Sequence, residues 1–314
     1  MRLMLVMGVD ENGLGPRLGP LVATSLTLET PRYARSSLCA RGLRLGLTDS
    51  KETGGFGKMG FAESVALGLL GGAGGAGGSE IPGSADDLLE RVFPGVRTRL
   101  GAFCPDVATA EQCWGVDFAL PAFGGNASYG AELLDRLVGR SRLRIVDVQS
   151  RLACSGILNA KLAAGRNKLA VDLELFEELI QSGRERHGAP SLVVCGMIGG
   201  IRDYASRFGC FPAEHVRALR GRRGQKRYEI EGHGEVRFEV DADARHLPVA
   251  LASIVGKYVR EIGMRRIGEF YRRSAPDLQL ASGYHDPVTT QFIEATEAPR
   301  RKLRIAQDCF MRRA

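Results

Sequence analysis

Apolar positions fall into short runs along most of the chain and into a long helical stripe near its C-terminal end. Leu5-Val6-Met7-Gly8-Val9 ends on Asp10-Glu11 and opens into Asn12-Gly13-Leu14-Gly15-Pro16, with Gly19-Pro20 following. An apolar run of this length, bounded by turn residues, predicts a buried strand. Leu21 to Leu28 predicts a second, so 1–30 reads as a hairpin or as two neighbouring strands. Arg144–Val148 and Ser191–Cys195 are also strand-like, and Lys226–Ile230 and Glu235–Val240 flank Gly232-His233-Gly234 as a hairpin would. A helix is predicted over Asn167–Ser182. A longer one is predicted from Leu247 to Arg273, where Leu247, Leu251, Ile254, Val255, Tyr258, Val259, Ile262, Ile267 and Phe270 recur at helical spacing. Strands alternating with helices predict an α/β domain.

The pattern changes between 52 and about 140. Gly71 to Ser79 is a glycine-rich low-complexity stretch, read as a flexible linker; no Gly-Lys-Ser/Thr follows it, so it is not a phosphate loop. The segment reads as a surface insertion with helices near 59–70 and 84–92 and with Trp114 in its core. Composition is ordinary for a globular chain of 314 residues, with 44% hydrophobic and 25% charged residues. A formal net charge of +7 favours an anionic partner without requiring one. Seven cysteines at 39, 104, 113, 154, 195, 210 and 309 show no CxxC and no paired His/Cys spacing, which argues against a structural zinc site. Their odd number, with no secretory signal and no apolar stretch near the ~20 residues of a membrane span, predicts a cytoplasmic protein with no membrane partner.

Two acids at the end of a strand are not needed for folding. They suit a divalent cation, which takes oxygen ligands on a rigid support, while the glycines beyond them leave backbone N–H groups open to a close-lying ligand. The alternative is a turn or N-cap acid followed by a loop. Asp243, between the second hairpin strand and the long helix, is either a helix-start acid favoured by the helix dipole or a third ligand facing Asp10 and Glu11.

Taken in order, four segments resemble the type 2 ribonucleases H (ribonuclease HII and HIII). They are Asp10 to Pro16 with Gly19-Pro20, then Asp49-Ser50-Lys51, then Asp243 to Ile254 with Lys257 and Arg260, and finally Ser282-Gly283-Tyr284-His285-Asp286-Pro287. Together they cover 1–51 and about 145–295. The resemblance implies an α/β, RNase H-like fold: a central mixed β-sheet flanked by helices, with a helical C-terminal part. It implies one such domain over 1–314, interrupted by the insertion at about 52–140. It also implies endonucleolytic cleavage of RNA in an RNA–DNA hybrid or a ribonucleotide-containing duplex, driven by Mg²⁺ or Mn²⁺, with no obligate protein partner. Asp10, Glu11 and Asp243 would be the catalytic metal ligands. Gly13, Leu14, Gly15, Lys51, Ser253, Lys257 and Tyr284 would contact substrate, with the glycine turn and Tyr284 at the 2′-OH-bearing sugar.

The chain departs from the family pattern at two positions. A further Asp is expected where the strand Val193-Val194-Cys195 ends, and Gly196 stands there; Asp203 and Asp147 are the candidates to compensate. Leu14 stands where the family usually carries Arg. The second reading of the chain is therefore a catalytically impaired relative that binds hybrids or RNA. Arg217, Arg220, Arg222, Arg223, Lys226 and Arg227 read as a solvated face or as phosphate contacts, and Lys51, Lys257 and Arg260 as phosphate contacts within the matched motifs. His246 is a helix first-turn residue or a proton shuttle. Arg300, Arg301, Lys302, Arg304, Arg312 and Arg313 make a basic tail that extends a nucleic-acid surface or only solubilises the chain.

Overall fold

The computed structural model describes residues 3–47, 58–71, 80–104, 112–139 and 142–313. Asp49-Ser50-Lys51 and most of the glycine-rich stretch lie outside the described residues. The chain begins with β1 (Met4–Asn12), β2 (Leu21–Thr30), α1 (Arg35–Arg44), α2 (Gly60–Gly71), α3 (Ala85–Val92), α4 (Val96–Gly101) and α5 (Ala127–Val138). It continues with β3 (Arg144–Ala153), α6 (Ser155–Ala163), α7 (Lys168–His187), β4 (Leu192–Gly196), β5 (Val216–Leu219), β6 (Gln225–Ile230) and β7 (Gly234–Glu239). The C-terminal helices are α8 (Ala242–Arg245), α9 (Leu247–Arg272), α10 (Pro287–Ala295), α11 (Glu297–Lys302) and α12 (Gln307–Phe310). No described helix is long and apolar enough to cross a membrane.

The strands form one sheet in the order β3-β2-β1-β4-β7-β6-β5. β1 pairs antiparallel with β2 and parallel with β4, and β4 pairs parallel with β7. The sheet is mixed and flanked by helices, as expected from the sequence. β4 is buried along its whole length, as a central parallel strand covered on both faces must be. Successive side chains of β1 point to opposite faces. Met7 meets Gly183 of α7 on one face, and Gly8 meets the backbone of Pro248 and Val249 at the start of α9 on the other. The sheet thus lies between α7 and α9, and the end of β1 is half-buried.

The segment 52–140 was expected on the surface, and α2 corrects that expectation. Ala62 through Leu70 are all buried, and α2 packs on α5, α9 and β3. The apolar residues of α2 join the main core, and Glu63 locks the arrangement. Its carboxylate accepts from the backbone N–H groups of Ala122 (2.5 Å), Phe123 (2.8 Å) and Gly125 (2.8 Å) and from the Tyr258 hydroxyl (3.0 Å). Saturating a buried carboxylate with donors is what makes its burial tolerable. Trp114 is half-buried against the core, with the Arg97 guanidinium 5.1 Å from its ring centroid.

Cysteines scattered in the sequence gather in space. Cys104, Cys113, Cys154 and Cys309 line one small apolar pocket with Leu100, Phe103 and Trp114, all as free thiols. A hydrogen bond from Cys113 and the backbone N–H groups opening α6 bring the Cys154 thiol down to about 7.

Candidate active site

The C-terminal end of β1 forms the floor of an open cleft of about 710 Å³. Its lining includes Asp10, Glu11, Gly13, Leu14, Gly15, Gly196, Asp243, Ser253, Lys257 and Tyr284. Every site residue expected from the sequence lies there except Lys51, which is outside the described residues.

Strand alternation divides the two leading acids. Asp10 shares the α9 face with Gly8, and Glu11 shares the α7 face with Met7 and Val9. The Ser253 hydroxyl of α9 hydrogen-bonds the Asp10 carboxylate. Ser253 therefore orients an acid, and it also lies in the lining of the cleft where it was expected to touch substrate. Asn12 Nδ2 donates to the Ser253 carbonyl (3.3 Å), tying strand end to helix a second time. Burial, then the nearby charges of Glu11 and Asp243, push the Asp10 carboxyl well above the usual carboxylate range. Asp243 sits in the single turn of α8, which Asp241 opens in a left-handed conformation at φ 52°; the Asp243 carboxylate accepts from the Ala244 N–H at 3.0 Å.

The glycine turn after the acids is held from beneath. Gly13 has φ +89°, and a Cβ there would lie 2.8 Å from Arg260 Nε, so glycine is required on both counts. The Arg312 guanidinium is buried below, donating to the Gly13 carbonyl and, at 2.8 Å, to the Gly19 carbonyl. Burial pulls Arg312 down to about 9. The basic-tail reading fails for Arg312, which belongs to the interior, and for Arg300, which is buried and bonds to the Thr296 and Ile293 carbonyls and Gln307.

Arg260, expected as a phosphate contact, is tied into the protein on the side of the cleft. It is buried, pairs with Glu261 at 2.5 Å and donates to the Ser282 carbonyl at 2.8 Å. Its guanidinium lies 4.7 Å from the centroid of the exposed Tyr284 ring. Arg260 thus props Tyr284 over the cleft, and Lys257, one turn earlier on the same helix, lines the cleft wall with it. His246 is buried at the start of α9 between the Tyr33 hydroxyl (2.9 Å) and Glu239 (3.3 Å). The hydrogen bond from His246 brings Glu239 down to about 2. In the basic run, Arg217 pairs with Glu229, and Arg227 with Glu235 at 2.5 Å.

Position 196 is where an acid would complete the cluster. A Cβ at Gly196 would lie 2.5 Å from Asp10 Oδ1 and 3.7 Å from Glu11 Oε2. Neither expected substitute is available. Asp147 lies on β3, two strands from β1, and pairs with Arg186 (3.2 Å) and His187 (3.1 Å). Asp203 accepts from the Ala205 N–H and the Tyr228 hydroxyl. The carboxylate missed from sequence is Asp172, on α7. It is fully buried, and desolvation together with the charges of Glu11 and Asp10 pushes it well above the usual range. Its place inside an amphipathic helix gave it the look of a polar-face residue.

Among the described residues no three His, Cys, Asp or Glu side chains stand close enough to hold an ion as placed. The donor chemistry nevertheless fits a hard cation: the acids at the end of β1 repel one another, are largely removed from water, and offer only oxygen.

The model of the family Ribonuclease HII matches residues 216–312, from β5 to the C-terminal arginines. Among solved structures the chain is similar to that of a PCNA:RNase HII complex from Archaeoglobus fulgidus, at 19% identity over 98% of this chain and 93% of that one, TM-score 0.47. It is also similar to the ribonuclease H2 of Pyrococcus horikoshii OT3, at 17% identity over 98% and 92%, TM-score 0.47. A third is Bst-RNase HIII in complex with Mn²⁺, at 14% identity over 98% and 66%, TM-score 0.48. A comparison with curated proteins gives no match. The family match thus covers the C-terminal part of the chain, from β5 through α12, and the residues expected from the sequence gather at one strand end.

Proposed function

We propose that the protein is an endoribonuclease that hydrolyses the RNA strand of RNA–DNA hybrids with Mg²⁺ or Mn²⁺. The observation behind this reading is the convergence of Asp10, Glu11, Asp243, Lys257 and Tyr284 on one cleft from four separate stretches of backbone. Asp10, Glu11 and Asp243 would hold the cation. When bound, such an ion supplies a lowered pKa to an attacking water and charge neutralisation to the departing 3′ oxygen. Ser253 keeps the Asp10 carboxylate turned into the cleft. Lys257 attracts the phosphate without reading base sequence. The Gly13–Gly15 backbone and Tyr284 approach the sugar, where the 2′-OH separates RNA from DNA.

The test is cleavage of a fluorescent hybrid duplex with each metal. Wild-type cleavage lost in Asp10→Asn supports the proposal; no cleavage with either metal, while the hybrid still binds, refutes it. Gly196 favours the second reading, a hybrid-binding protein without activity. Under that reading the wild type stays inert and Gly196→Asp turns cleavage on.

A further inference from the structure

The cation reading of the cleft leaves one group unexplained. Asp172 is fully buried, and neither carboxylate oxygen has a hydrogen-bond partner among the described residues. The charged groups that act on it are Glu11 and Asp10, both acids. A buried carboxylate with no donor and no counter-charge costs several kcal/mol. Glu63 and Glu177 show how this fold ordinarily handles one, the first with three backbone N–H groups and a tyrosine hydroxyl, the second with the N–H groups of Gly209 and Cys210. Asp172 receives none of this.

Helix and strand register show where it points. Met7 meets Gly183, so α7 and β1 are aligned at that level. From Gly183 back to Asp172 along the helix is about 16 Å at ~1.5 Å per residue. From Met7 forward to Glu11 along the strand is about 13 Å at ~3.3 Å per residue. Both paths lead to the same end of β1, and Glu11 is on the face turned to α7. On the opposite flank, Asp10 Oδ1 lies 2.5 Å from where a Cβ at position 196 would be, in the space an acid there would need.

We propose that Asp172 supplies, from helix α7, the negative charge that the family pattern places at position 196, completing the cation site on its Glu11 side. The proposal rests on the metal-dependent reading above. Replacing the strand-borne acid by a helix-borne one leaves the number of carboxylates at the site unchanged and lets Gly196 make room for Asp10.

Mn²⁺ binding to the full chain, measured by calorimetry and by metal-dependent thermal melts, separates the possibilities without relying on activity. Asp172→Asn is expected to weaken Mn²⁺ binding at least tenfold while melting in EDTA at or above the wild-type temperature, because an orphaned charge has been removed. Adding Gly196→Asp to that variant should restore most of the affinity. Mn²⁺ affinity within twofold of wild type in Asp172→Asn overturns the proposal, as does an EDTA melt well below wild type with the metal-induced shift intact. If Asp172→Asn does not fold, Gly196→Asp in the wild-type background decides: less than a twofold change supports a site already complete, and a tenfold gain overturns it. A wild type that binds no Mn²⁺, and so is indistinguishable from Asp10→Asn, refutes the metal reading itself and the proposal with it.

Discussion

Replacing Gly8 by alanine should push the two walls of the cleft apart. Gly8 lies at the crossing of β1 and α9, and a Cβ there would sit 2.3 Å from both the Pro248 carbonyl carbon and the Val249 nitrogen. Ordinary contact begins near 3.4 Å, so one element must retreat by about 1 Å. Both groups are backbone inside a packed core and cannot rotate away. Overpacking of this kind costs about 1–3 kcal/mol, against a gain of ~0.4–1 kcal/mol from removing a glycine from the unfolded chain. The net loss should be about 1–2 kcal/mol. β1 carries Asp10, and α8 and α9 carry Asp243 and Ser253, so the displacement falls on the site itself. A misplacement of ~1 Å can cost about a hundredfold in rate. Urea unfolding and hybrid cleavage read the two effects, with Gly83→Ala as the control, since nothing lies within 4 Å of a Cβ at Gly83. A Gly8→Ala protein with the wild-type midpoint and cleavage within twofold of wild type would refute the argument that this close approach sets the site's width.

Glu239 is held down at about 2 when folded, below its ordinary 4.5, chiefly by the His246 hydrogen bond. The stability it contributes is therefore present above about pH 4.5 and lost as pH falls towards 2, by up to about 3 kcal/mol; urea melts from pH 6 to 3 should show a shallower acid loss in Glu239→Gln. Arg312→Met removes the buried donors under the glycine turn and should lower stability by about 2–3 kcal/mol, seen as a reduced urea midpoint. Tyr284→Ala removes an exposed ring, so stability should stay within about 0.5 kcal/mol. Hybrid affinity, measured by fluorescence anisotropy, should fall; unchanged affinity would remove Tyr284 from the substrate surface.

Much of this protein is local information. The apolar run before Asp10, the alternation of β6 and β7 around Gly232-His233-Gly234 and the helical stripe of α9 are set by side-chain periodicity, which depends only on near neighbours. The glycine turn declares itself because positive φ at Gly13 excludes other residues. The order of the motifs also assigns Asp10, Glu11, Asp243 and Tyr284 to one site, and all four line the same cleft. What sequence could not supply was proximity between distant segments. Arg260 reads as a phosphate contact and Arg312 as part of a basic tail, and only packing shows one beside the Tyr284 ring and the other under the turn. Cys104, Cys113, Cys154 and Cys309 have no shared spacing, yet three segments of chain bring them to one pocket. α2 belongs to a stretch of altered composition, but its burial is decided by α9 and by Glu63. Asp172 is the sharpest case. Within α7 it is one acid among several, and it becomes an orphaned charge beside Glu11 only because the helix crosses the sheet at that level, a relation fixed by tertiary packing and by no local pattern.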